Sequence, residues 1–362
     1  MENGTPADVA RRSSFRDIPV DLLRGLAIAL MILANLAPAL FLPPAPGWFR
    51  FLSSLAAPLF IVTAGMMVAL SRTGRGRSFR YIAVRGGMVI LAAALLDLLV
   101  FHFIPFIDMD VLYLIGLSLP LAYLYLGLPE RKRWIILAAI LLMAPVLWAG
   151  VGYSTTVSTP SISLFSPAGL IAPLPDLPDI VKSWFIDGWF PIFPWVALAL
   201  FGAEAGMYRW GTGEVRPFRF NHEGIFAAFF LIDGGILWFL FPGAQIVRDG
   251  YVELFYPPVI GLILFSAGFF LMVLTVLDHV PASSPFLDPL RAAGECSLAI
   301  YLVHYTIIQY IIAPVDIRLP VLPYFCVYFT LLASMVLVAY LLRQARRPRN
   351  NQPFFIRFLI GG

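Results

Sequence analysis

Long apolar runs separated by short polar breaks make up most of the chain. Ten of them read as membrane spans: Ile18–Leu42, Trp48–Leu70, Tyr81–Phe103, Met109–Leu128, Trp134–Gly152, Gly188–Tyr208, Gly224–Phe241, Pro257–Leu277, Gly294–Ala313 and Val321–Leu342. A helix needs about 20 apolar residues to cross the hydrocarbon core, and the fourth, fifth and seventh runs are the shortest. The short alternating segments of a transmembrane β-barrel are not visible. The pattern predicts an all-α integral membrane protein, a bundle of about ten transmembrane helices. A single membrane domain over 18–343 would then lie between a polar tail at 1–17 and a basic tail at 344–362. The apolar run after the first tail is too long for the core of a cleavable signal, so the first span is expected to stay in the mature protein.

One break is long. The stretch Tyr153–Asp187 contains Pro160, Pro167, Pro173, Pro175 and Pro178, and its end, Asp179–Trp189, predicts a short interfacial helix. Trp184, Trp189 and Trp195 fit an interfacial belt and equally an aromatic platform for a sugar acceptor.

Composition narrows the class. Apolar types make up 60% of the residues and charged types 13%, against about 25% charged in soluble domains. The 15% aromatic content excludes low-complexity disorder. The distribution of Lys and Arg orients the bundle. With the N-terminus inside, only Arg50, Lys182, Arg248 and Arg318 fall in outer segments. Both termini are therefore expected to be cytoplasmic, and the location a cell membrane. Cys296 and Cys326 make no disulfide framework and are expected at opposite faces.

Ionisable groups inside spans are costly and point to function. Asp21 and Arg24 share a face of the first span, one turn apart. They read as a self-neutralising pair, or as a cation aimed at a phosphate on the cytoplasmic side. Arg85 follows Arg72, Arg75, Arg77 and Arg80. Topology accounts for such a cluster, and so does a polyanionic ligand such as a nucleotide phosphate, whose oxygens match the guanidinium fork. His102 closes the third span, and Asp108 and Asp110 open the fourth. A carboxylate that orients an imidazole suits a general base, while an ordinary hydrated loop fits the same residues. Asp97 is predicted to lie on another face from His102. Asp233 is expected to face the bundle interior, Glu204 to pair with Arg209, and His304 to be a packing histidine partnered by Tyr301. Four scattered His make no metal set, and neither a Walker loop nor a dinucleotide fingerprint is present.

Several segments resemble a known family. Asp21-Leu-Leu-Arg24-Gly25 through Asn35 is similar to the opening helix of the heparan-α-glucosaminide N-acetyltransferase group of the transmembrane acyltransferase superfamily. Ala57-Pro58-Leu-Phe60-Ile-Val-Thr-Ala-Gly65 resembles its second helix, Val111-Leu-Tyr113-Leu-Ile-Gly116-Leu-Ser118 its fourth, and Gly294-Glu-Cys-Ser297-Leu-Ala-Ile-Tyr301-Leu-Val-His304 its late Tyr-x-x-His helix. The matches stand in the family's order. The resemblance implies transfer of an acyl group, acetyl above all, from cytoplasmic acetyl-CoA or another acyl-CoA to a sugar or glycolipid acceptor at the outer face. It implies that Arg24 and Arg85, helped by Asp21 and Arg80, hold the CoA phosphates, and that Asn35 positions the acyl group. The group's active histidine follows that Asn, but here Leu36–Pro46 contains no His, and the alternative family positions look like Asn35 and Tyr113. The base is therefore expected to be His102, served by Asp108 and Asp110, with His304 second. The missing histidine leaves open a non-catalytic member of the family. A transporter or flippase for a polar lipid or organic acid, coupled through Asp233 and His304, is a further alternative. Membrane lipid and a second copy of the chain are the other expected partners; neither nucleic acid nor a metal is expected.

Overall fold

The computed structural model describes residues 16–157, 159–163, 169, 173–281 and 284–345. The tail before Arg16, Pro167 with parts of the long loop, and the basic tail from Arg346 lie outside the described residues.

The apolar runs are helices. They are α1 (Ile18–Leu40), α2 (Gly47–Gly74), α3 (Phe79–Phe101), α4 (Val111–Tyr125), α5 (Glu130–Val151), α6 (Leu177–Asp187), α7 (Ile192–Trp210), α8 (His222–Leu240), α9 (Ile260–Asp278), α10 (Asp288–Glu295), α11 (Ser297–Val315) and α12 (Val321–Ala345). Among the described residues, eight helices are long and apolar enough to cross a membrane, or nine if the bent pair α6–α7 counts as one span. The predicted fourth span is the shorter α4, of 15 residues.

Two boundaries move for local reasons. Gly188-Trp-Phe-Pro191 delays the helix of the sixth run to Ile192: Pro191 lacks an N–H and disfavours helix at the residue before it. The chain bends by 44° there, and α6 is a short helix over most of the stretch Asp179–Trp189 where one was expected. The ninth run breaks at Cys296, whose backbone leaves the helical region, so α10 is a separate helix.

Helices α2 and α7 pack closely through glycines. A Cβ on Gly65 would sit 1.8 Å from the Ala199 carbonyl oxygen, and one on Gly202 1.9 Å from that of Val62. Such contacts let backbones approach where lipid provides no hydrophobic drive between helices. Large apolar side chains of α5, α8 and α12 (Leu142, Val146, Ile232, Phe239, Leu322, Phe329) face outward.

Two expectations are corrected. Asp233 is exposed, not interior. Gly234 takes the contact with α9, where a Cβ would meet the Phe265 nitrogen at 2.3 Å, and the adjacent residue lies about 100° around the helix. Glu204 pairs with Arg133 on α5 at 2.8 Å rather than with Arg209. Arg209 turns the other way. Its Nε and Nη2 donate to both oxygens of Asp17 at 2.6 and 2.8 Å, and Nη1 and Nη2 donate to those of Asp278 at 2.7 and 2.8 Å.

Removing one partner of a buried ion pair costs about 3–5 kcal/mol, because the remaining charge is stranded. Arg209→Ala is therefore expected to lower the melting temperature of the detergent-solubilised protein sharply. An unchanged melting curve would show that the cluster does not hold the bundle.

Candidate functional site

A cavity of about 520 Å³ is walled mainly by α1, α2, α3, α4 and α11, with the loops before α4, α7 and α9. Its two ends differ in their ionisable groups, with Asp17 and Asp21 accompanying the guanidiniums of the first. Arg16, Arg24, Arg75 and Arg85 line one end; Asp97, Asp108, Asp110 and Glu253 line the other, beside Trp189, Tyr251, Tyr301 and Tyr305. The stretch between them is largely apolar, with Met31, Phe60, Val89 and Ile115, and includes Asn35.

At the arginine end, Arg24 is 3.6 Å from Asp21 and its Nη2 donates to Ser297 Oγ. Arg16 reaches Glu295 at 2.8 Å and Asp21 at 3.7 Å. Arg85 donates to the Tyr81 hydroxyl at 3.2 Å. Arg80 is exposed and is not in the wall; Arg75 occupies the wall instead. Spacing within a basic loop carries no face information, so the sequence could not separate these two.

At the acidic end, α3 finishes in a π-helical turn, Asp97–Phe101, and His102 adopts a left-handed φ of 57°. The reversal through 103–110 brings two carboxyls to the wall. Asp108 Oδ1 accepts from the Met109 amide at 2.7 Å and from Ser183 Oγ of α6. Its Oδ2 is buried and finds no hydrogen-bond partner among the described residues. Burial pushes the Asp108 carboxyl up to about 7; the Ser183 and Met109 hydrogen bonds oppose this and the charge of Asp110 adds to it. Burial raises Asp110 too, and the Tyr301 hydroxyl donates to it at 3.4 Å. Asp97 accepts from the Tyr113 hydroxyl at 2.5 Å.

Glu253 comes from the loop between α8 and α9. Only 4% of it is exposed, and its Oε2 finds no hydrogen-bond partner among the described residues. Burial pushes its carboxyl up to about 8, with Arg50 opposing. Arg50 also ties this loop down, donating to the carbonyls of Val252 at 2.7 Å and Gln245 at 3.1 Å. No motif marked Glu253, because it sits in a polar loop whose position only the fold decides.

The structure thus brings Asn35, Asp108 and Asp110 to one cavity with Arg24 and Arg85. His102 is not in the wall, although Phe101 and Phe103 are. Its left-handed backbone turns the ring to Tyr310, whose hydroxyl is 3.0 Å from Nε2. His304 is fully buried behind the wall, with Nε2 3.2 Å from Asn35 Nδ2; Tyr301, its expected partner, bonds to Asp110 instead. No cluster of three or more His, Cys, Asp or Glu suited to a metal ion occurs among the described residues.

Glu253→Gln tests the raised carboxyl. A carboxyl whose folded pKa is raised from 4.5 to about 8 contributes stability that is present below 4.5 and lost as pH rises through 8. The variant is expected to melt a few degrees above the wild type at pH 9 and alongside it at pH 4.5. Parallel melting curves at both pH values would refute the assignment.

Residues 16–232 match the profile of the family described as heparan-alpha-glucosaminide N-acetyltransferase, catalytic. The match takes in the cavity wall from Arg16 to Phe190 and ends before the loop that carries Glu253. No curated protein matches the chain.

Proposed function

Because the chain belongs to the heparan-α-glucosaminide N-acetyltransferase family, we propose that it is an acetyl-CoA-dependent transmembrane acetyltransferase, moving an acetyl group from cytoplasmic acetyl-CoA to a sugar or glycolipid acceptor at the outer face. The observation that carries this reading is the single cavity with guanidiniums at one end and carboxyls at the other. The excess of Lys and Arg on one side supports a cytoplasmic arginine end. There Arg24 and Arg85, with Arg16 and Arg75, would bind the phosphates of the donor. Arg24 and Asn35 lie eleven residues apart on α1, about 16 Å of helix rise. That length suits an extended pantetheine arm and would bring its thioester near Asn35.

The acceptor enters from the carboxyl end, where Trp189 and Tyr251 offer ring faces and Glu253 a buried hydrogen-bond acceptor. Its hydroxyl or amine attacks the thioester carbonyl. The new C–O or C–N bond forms, the C–S bond breaks, and Asp108 takes the proton from the nucleophile. CoA leaves as the thiolate and is protonated from solvent. A base serves best when its pKa is near the working pH, and Asp108 at about 7 meets that condition without a histidine. Burial keeps it there, with a smaller contribution from the charge of Asp110 two residues away.

Three results test this. Acetyl-CoA should stabilise the purified protein against heat, and Arg24→Ala should weaken that binding about tenfold or more, the cost of one charge-assisted hydrogen bond. Asp108→Asn should abolish acetyl transfer while leaving acetyl-CoA binding intact. The wild-type rate should rise with pH through about 7 and then level, since the ionised carboxylate is the active form. A protein indifferent to acetyl-CoA would overturn the proposal; full turnover in Asp108→Asn would overturn the choice of base alone.

A further inference from the structure

His304 lies within reach of two groups whose chemistry fixes its own. Its Nδ1 is 3.0 Å from the carbonyl oxygen of Ile300, one turn back on α11, and its Nε2 is 3.2 Å from Nδ2 of Asn35 on α1. The ring is completely buried and no carboxylate among the described residues bonds to it. A charged imidazolium there would be an uncompensated cation inside an apolar bundle, which is costly. The ring is therefore neutral, with one N–H. A carbonyl oxygen only accepts, so the proton sits on Nδ1 and Nε2 is a bare acceptor.

We infer that His304 is a positioning residue that fixes the amide of Asn35 with its NH2 towards the imidazole and its carbonyl oxygen towards the cavity. The reversed amide would set two lone pairs against each other at 3.2 Å. Asn35 is in the cavity wall and His304 is not, so the amide oxygen is the atom offered to a ligand. That oxygen takes a hydrogen-bond donor. The proposed function supplies the donor as the O–H or N–H of the attacking acceptor, and the inference rests on that reading only for this identity. One face of α11 then serves the site twice: Tyr301 donates to Asp110 and His304, three residues on, orients Asn35.

The test has a spectroscopic and a kinetic arm. Nitrogen-15 spectra of the imidazole-labelled full chain at pH 7 should show a neutral Nδ1–H ring that His304→Gln removes. An Nε2–H ring at His304 would overturn the inference. CoA release from acetyl-CoA is then followed with glucosamine as the acceptor probe. His304→Gln, whose side-chain carbonyl can accept from Asn35, should stay within about threefold of wild type, while His304→Leu should fall on the order of 100-fold, as misplacement at a reacting centre does. Acetyl-CoA affinity should be unchanged in both. Equal rates for the two variants would overturn the inference. A wild type that releases no CoA would count against the acetyltransferase reading, with the tautomer still deciding the orientation of Asn35.

Discussion

A guanidinium buried at the edge of an apolar bundle has to be paired, and Arg209 is held between two carboxylates, one before α1 and one at the end of α9. Asp17 immediately precedes α1 and Asp278 ends α9, while Arg209 itself is in the last turn of α7. The Trp210 indole donates to Asp17 at 3.2 Å and the Phe218 amide to Asp278 at 2.7 Å, so further lone pairs are used. Sliding any of the three helices would strand a charge at a cost of several kcal/mol. The cluster thereby sets the height of α1, which carries Asp21, Arg24 and Asn35 along the cavity wall.

The opposite end is organised by cations that bind backbone rather than acids. Arg248, 2% exposed, donates to the carbonyls of Asp187, Gly188 and Ser154 and lies over the rings of Tyr153 and Tyr256. Arg50 holds the neighbouring loop in the same way. The loops thus pinned supply Trp189, Tyr251 and Glu253 to the wall. Because these guanidiniums are engaged with carbonyls, the carboxyls at this end, Asp97, Asp108, Asp110 and Glu253, have no ion pair with a cation of the cavity wall among the described residues. Burial then dominates their chemistry, and it pushes Asp108 and Glu253 up towards neutral pH. The proposed acetyl transfer would use these carboxyls at one end of the cavity and the guanidiniums at the other.

Much of this was readable in the chain. A run of apolar residues has few ways to satisfy its backbone in lipid, so it becomes a helix, and where ten runs read as spans the described residues hold eight spanning helices, or nine with the bent pair. Arg24 and Arg85 were legible because a charge inside a span is expensive. Asp108 and Asp110 were legible because a short link between spans keeps polar groups at one level. The family resemblance in α1, α2, α4 and α11 ordered these signals along the chain.

What hydropathy, charge and motif could determine was therefore the order of the apolar helices, their approximate ends, and which polar residues needed an explanation. Which way each polar side chain turns was decided by tertiary structure. The left-handed backbone at His102 points its ring at Tyr310. The close approach at Gly234 sends Asp233 outward, and the register of α1 against α11 gives His304 to Asn35. Glu253 joins the cavity only because Arg50 folds its loop over the bundle. Periodicity along one helix fixes relative angles around that helix, but the direction that counts as inside is defined by the neighbours, and those are known only once the helices have packed.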